Sequence, residues 1–96
     1  MAKGYWIAHI TVNDAAAYEV YRSLVPGILA AHDGTYLVRA GRQTIVEGTS
    51  RPRTVVIAFP SLEAAQACYN SAAYQAAKLL RLKASDGDIS IVEGWD

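Results

Sequence analysis

The stretch Arg53-Thr-Val-Val-Ile-Ala-Phe-Pro-Ser-Leu-Glu-Ala-Ala-Gln-Ala-Cys-Tyr69 decides the fold. Val55, Val56, Ile57, Ala58 and Phe59 form an unbroken apolar run rich in β-branched side chains, the pattern of a strand covered on both faces. Pro60 has no N–H and ends the ladder. Ser61 is a good helix N-cap, and Glu63 places negative charge in the first turn, where the helix dipole favours it. A strand apolar on both faces needs a cover on each side. The chain has 96 residues, enough for one domain, and 52% of them are hydrophobic. A domain of this size buries only about 60–68% of its unfolded surface. Apolar surface is therefore left over, and a second copy of the chain can cover it.

Outward from this stretch, the remaining elements read in turn. Tyr5 to Val12 alternates as a strand, with Tyr5, Ile7, His9 and Thr11 on one face and Trp6, Ala8, Ile10 and Val12 on the other. Asn13-Asp14 offers a helix cap, and Tyr18, Tyr21, Val25, Ile28 and Leu29 recur at helical spacing. Pro26-Gly27 is expected to kink or restart this helix, and His32-Asp33-Gly34 to end it, with the glycine at positive φ. Thr35 to Ala40 reads as a second strand, followed by a bend or bulge at Gly41 and Arg42-Gln43. Thr44 to Glu47 is expected to continue extended, and Gly48 to Pro52 to form the loop of a long hairpin. After Ser61 a helix runs to about Asn70, Asn70-Ser71 breaks or recaps it, and Ala72 to Ala84 is helical again. Asp86-Gly87 reads as a turn and Asp88 to Trp95 as the last strand.

The order β-α-β-β-α-β is the ferredoxin-like plan of the α+β class: one four-stranded antiparallel sheet with helices on one face. The other face also carries apolar side chains. A homodimer that stacks sheet on sheet is the expected partner arrangement.

Composition excludes several functions. Nine Lys and Arg balance nine Asp and Glu, so no basic footprint for nucleic acid is expected. Arg39, Arg42, Arg51 and Arg53 gather locally and read as polar residues around a hairpin. Cys68 is the one cysteine, so neither an internal disulfide nor a cysteine-based metal site is expected. Two distant histidines make no metal pair. The start of the chain lacks a signal-peptide pattern, and no apolar run approaches the roughly 20 residues of a membrane span. These features predict a cytoplasmic protein. There is no Gly-rich phosphate loop, dinucleotide fingerprint or nucleophile elbow, and no cofactor is expected.

Lys3-Gly-Tyr-Trp-Ile-Ala8, Tyr36-Leu-Val-Arg-Ala-Gly41, Glu47-Gly48, Val55-Val-Ile-Ala-Phe-Pro-Ser61, Ala64-Ala65, Tyr69-Asn-Ser71, Tyr74-Gln75 and Ile91-Val-Glu-Gly94 resemble the DUF1330 family, a bacterial domain of unknown function. The elements stand in family order along nearly the whole chain. The resemblance implies a dimeric α/β barrel, in which two ferredoxin-like sheets face each other. Cofactor-independent oxygenases, small isomerases, dehalogenating enzymes, haem proteins and ligand sensors share that architecture, so it implies no single activity. The family often carries an acidic residue before Phe-Pro-Ser. Here that position is Ala58, and any role of that carboxylate is missing.

Arg39 is the first candidate for function. It matches the family's Leu-Val-Arg segment, and a guanidinium on a strand can clamp a carboxylate or enolate through parallel hydrogen bonds. The competing reading is an ion pair with Glu47 or Glu93. His32, at a helix end, can act as a general base or simply stabilise the helix terminus as a cation. Glu93 can move a proton if burial raises its pKa, or remain ionised beside an arginine. Tyr36, Tyr69, Tyr74 and Arg53 are the candidates for shaping a ligand pocket, the tyrosines being equally suited to the core. Taken together, the reading is a small homodimer that binds a small carboxylate or phenolic molecule, with cofactor-independent proton transfer or oxidation as its chemistry. The alternative is a noncatalytic binding or regulatory module.

Overall fold

The computed structural model describes residues 2–95. Its elements are β1 (Gly4–Val12), α1 (Ala15–Ala30), β2 (Thr35–Arg39), β3 (Arg53–Phe59), α2 (Leu62–Asn70), α3 (Ala72–Ala84) and β4 (Ser85–Glu93). The strands form one antiparallel sheet in the order β2-β3-β1-β4. This is the expected ferredoxin-like arrangement, with the second helix divided in two. Ser71 explains the division: its hydroxyl accepts from the Tyr74 N–H as the cap of α3 and donates to the Cys68 carbonyl at the end of α2.

The core lies between the sheet and the helices. Trp6, Ala8 and Ile10 of β1 alternate inward and pack with Ile57 and Phe59 of β3 and Tyr21, Val25, Leu29 and Tyr74 of the helices. The Trp6 indole donates to the Ala65 carbonyl at 2.9 Å, which satisfies its N–H inside an apolar layer. The opposite sheet face carries Tyr5, Ile7, Val38, Val56 and Val92, and no element of the described chain covers it. Val38 and Val92 are 40% and 44% exposed. The molecule measures 36 × 34 × 17 Å, the thinness of a two-layer unit with one bare face.

Several expectations need correction. The helix through Pro26 runs without interruption from Ala15 to Ala30. Pro26 lies on the solvent face, where water can meet the carbonyl left without its N–H partner. At the helix end Asp33, not Gly34, takes positive φ, at 59°. Gly34 is needed for another reason: a Cβ there would sit 2.8 Å from the Phe59 ring. Thr44 to Glu47 forms no strand, and the segment 40–52 is an irregular loop. Asp86-Gly87 is no turn, because α3 passes directly into β4 at Ser85, and Gly87 pairs with Ile10. Gly87 fits there because a side chain would collide with Ile10.

The bulge also falls earlier than expected. Tyr36 pairs with Ile57, Val38 with Val56 and Arg39 with Val55, so Leu37 is the extra residue. Tyr36 and Arg39 are three apart and would face opposite ways in a regular strand. The bulge puts both on the helix side.

Candidate functional site

Between α1, α3 and the sheet lies a cleft of about 40 Å3. One water needs roughly 10–15 Å3 on this measure, so the space admits a few waters or a small ligand group. Trp6, Ala8, Ile10, Val55, Ile57 and Ile89 form an apolar floor. Tyr18, Tyr21, Tyr36 and Tyr74 stand around it with Arg22, Arg39, Arg53 and Arg81. No acidic side chain lines it. Within a chain of zero formal charge, this concentrates positive potential at one place.

Each arginine is placed by a simple local rule. Arg39 reaches the cleft through the Leu37 bulge and lies 4.5 Å over the Tyr36 ring. Arg53 opens β3 on the same face, 5.1 Å over Tyr18. Arg22 follows Tyr18 and Tyr21 on the inner side of α1 and bonds Glu19 at 3.2 Å. Arg81 continues the inward stripe Tyr74, Ala77, Arg81, Ala84 of α3 and is only 6% exposed. The Nε atoms of Arg22, Arg53 and Arg81 are buried without a hydrogen-bond partner. Buried donors in a native protein are nearly always paired, ordered water included, so three unpaired ones on residues that line one cleft single it out as a candidate site.

The tyrosines behave as neutral donors. The Tyr21 and Tyr74 hydroxyls lie 2.8 Å apart. Burial raises both above the ordinary phenol range; the charge of Arg81 opposes this without reversing it. Burial likewise raises Tyr36, against the pull of Arg39. The phenols therefore stay protonated at neutral pH and can donate to an anion.

Of the residues singled out by sequence, Arg39, Arg53, Tyr36 and Tyr74 come together at the cleft. Tyr69 does not line it; its ring packs against Trp6 and Tyr74, with Lys78 above. His32 lies beyond the end of α1, at the other end of β2 from Arg39. Glu93 is exposed at the end of β4. The structure brings neither to the cleft. The ion pairs among the described residues are Arg22–Glu19 and Arg51–Asp88, so Arg39 is not paired with Glu47 or Glu93. The sequence reading missed Arg22 and Arg81. Their signal is a cation on the inward stripe of a helix, where an apolar residue is usual.

Cys68 is fully buried on the inner side of α2, and burial pushes its thiol up to about 11. It is an inert core residue at neutral pH. Among the described residues no group of three or more His, Cys, Asp or Glu is placed to hold a metal ion. None of the helices is long and apolar enough to cross a membrane.

The fold has known relatives. A protein of unknown function from Rhodopseudomonas palustris superposes with a TM-score of 0.78 at 13% identity, over 99% of this chain and 84% of that one. SnoaB, a cofactor-independent oxygenase from Streptomyces nogalater, superposes with a TM-score of 0.66 at 10% identity, over 100% of this chain and 96% of its own. At such identities the likeness is one of fold. No curated protein matches the chain. The family model for a domain of unknown function, DUF1330, matches residues 3–95. The chain therefore belongs to the DUF1330 family, on a ferredoxin-like fold.

Proposed function

We propose that the protein works as a homodimer whose cleft binds a small organic anion, a carboxylate or a phenolate. The observation that carries this reading is the set of three buried, unpartnered arginine Nε groups around a cleft that no carboxylate lines. An anion would supply the missing acceptors, accept from the neutral phenols and rest its carbon skeleton on the apolar floor. The bare apolar sheet face supports the dimer, since sheet-on-sheet stacking would remove its valines and isoleucine from water.

The catalytic extension of this reading is proton transfer or cofactor-independent oxidation of a ligand held as its anion. Here the arginines would stabilise negative charge, as an oxyanion site does. One observation favours the noncatalytic alternative. No histidine or carboxylate lines the cleft, so it holds an anion without a base to create one. The relative named as a cofactor-independent oxygenase shows that the fold is compatible with such chemistry in another chain.

The test is a thermal-shift panel of small carboxylates and phenols on the wild type and on Arg39→Ala. At a hundred times Kd a ligand stabilises by about 2.7 kcal/mol. A member of the panel is expected to raise the Tm of the wild type and to have less effect on the variant. A panel that moves neither protein sinks the reading.

A further inference from the structure

We propose that Trp95 anchors the dimer: the indole of each copy seats in a groove on the bare sheet face of the other. This rests on the homodimer reading above and adds the residue and the site through which the copies meet. Trp95 is 99% exposed, against 2% for Trp6. A tryptophan left wholly in water is unusual, and tryptophan is enriched among the few residues that carry the energy of interfaces. Apart from the cleft, the described residues form a groove of about 380 Å3. Leu37, Ala58 and Pro60 give it apolar walls, and Lys3, Asp33 and Thr35 line it too. Roughly 10–15 Å3 on this measure holds one water, so the groove has room for an indole. Asp33 and Thr35 offer acceptor oxygens for the indole N–H, and the Lys3 ammonium can lie over the ring.

The sheet places the two features for each other. Thr35 pairs with Ala58, and Ala58 with Tyr5, so the groove opens on the bare face at its β2–β3 side. Gly4 pairs with both Phe59 and Glu93, and the Gly94 N–H donates to the Lys3 carbonyl at 2.7 Å. Trp95 therefore leaves β4 at the same end of the sheet as the groove, from the opposite edge. Gly94 keeps this segment against the bare face, where a Cβ would sit 2.9 Å from the Tyr5 ring. Two stacked sheets related by a two-fold axis parallel to their strands exchange edges and keep ends. That operation lays the β4 edge of each copy over the β2–β3 side of the other, so each tryptophan meets the other copy's groove. An axis across the strands would lay β4 over β4 and exchange the ends, leaving indole and groove apart. The face spans up to 36 × 34 Å, more than the roughly 800 Å2 a side of a stable pair.

The test combines sedimentation with acrylamide quenching of Trp95, whose signal is the difference between the wild type and Trp95→Phe. The wild-type dimer is expected to shield Trp95, and dilution to monomer to expose it. Trp95→Ala, at an exposed position, keeps the fold and should weaken the dimer at least about tenfold in Kd. Thr35→Tyr fills the groove from an exposed strand position and should weaken it similarly. The double variant should lose little more than either, because both changes remove one contact. A dimer whose Trp95 quenches as freely as in the monomer overturns the anchor and leaves the homodimer reading intact. So does a dimer that Trp95→Ala or Thr35→Tyr leaves as tight as the wild type, or shielding that survives dilution to monomer. A wild type that stays monomeric at every concentration overturns both.

Discussion

The two faces of the sheet treat their arginines in opposite ways. On the bare face, Arg51 is satisfied: it bonds Asp88 at 3.3 Å and Thr11 at 3.1 Å. Nearby, the His9 ring meets the Thr54 hydroxyl at 3.1 Å, and Thr54 in turn donates to Gln43. Two residues along the chain, Arg53 turns to the helix face and its buried Nε finds no partner. The same residue type in the same segment ends either in a closed network or in an open one. A closed network is finished by the chain itself. An open one, in a packed interior, implies that something else completes it. The bare face is the surface of the proposed dimer and the helix face that of the proposed ligand.

Substitutions can break this comparison. The largest effect belongs to the helix face. Trp6→Ala removes a ring that is 2% exposed, with its bond to Ala65, and should cost about 3–5 kcal/mol in urea unfolding. A loss under about 1 kcal/mol would mean that this face is not the core. Next comes the bare face. Val56→Asp should leave the monomer folded and weaken the proposed dimer by about 3 kcal/mol, roughly a hundredfold in Kd. Sedimentation should show a shift to monomer; an unchanged species would remove this face from the interface.

The contrast between arginines is finer. Arg81→Met replaces a buried cation that has no carboxylate partner with an apolar chain of similar length. It should raise stability in ligand-free buffer by about 1–3 kcal/mol. Arg51→Met breaks an exposed pair and should lower it by less than about 1 kcal/mol. If both variants lose stability equally, the two faces do not differ as described. The smallest effect is a pH slope. The thiol of Cys68 titrates near 9.0 when free and at about 11 in the fold. Between these values the unfolded chain has lost its proton and the folded chain has kept it. Stability should therefore fall as pH rises through this range, by up to about 1.4 kcal/mol per unit. Cys68→Ala should flatten the slope just above pH 9.0 and leave the steeper fall above pH 10.0 that the buried Tyr21 and Tyr74 contribute.

Much of the fold was legible because it rests on local rules. Phe59-Pro60-Ser61 marks a strand end and a helix cap in adjacent residues, and Asn70-Ser71 marks the break that separates α2 from α3. The errors fell where tertiary context overrides local preference. Pro26 is tolerated because its side of α1 faces water, and Gly87 belongs to a strand because Ile10 needs the room. The site was legible in half. Arg39 and Tyr36 stand out as residues, yet their common face depends on a bulge at Leu37 that no turn residue signals. Arg81 interrupts an apolar stripe in plain view, but the absence of a partner is a property of the packed molecule. His32 and Glu93 were chosen for their chemistry, and spacing alone does not reveal that the fold leaves them outside the cleft.

The central claim is that an external anion completes the buried arginines. The most direct measurement is equilibrium unfolding of the wild type and Arg81→Met, each with and without a saturating concentration of the carboxylate or phenol that the thermal-shift panel selects. That ligand is predicted to stabilise the wild type by about 2–3 kcal/mol at a hundred times its Kd and to leave Arg81→Met nearly unmoved. Equal stabilisation of both proteins, or of neither, would contradict it.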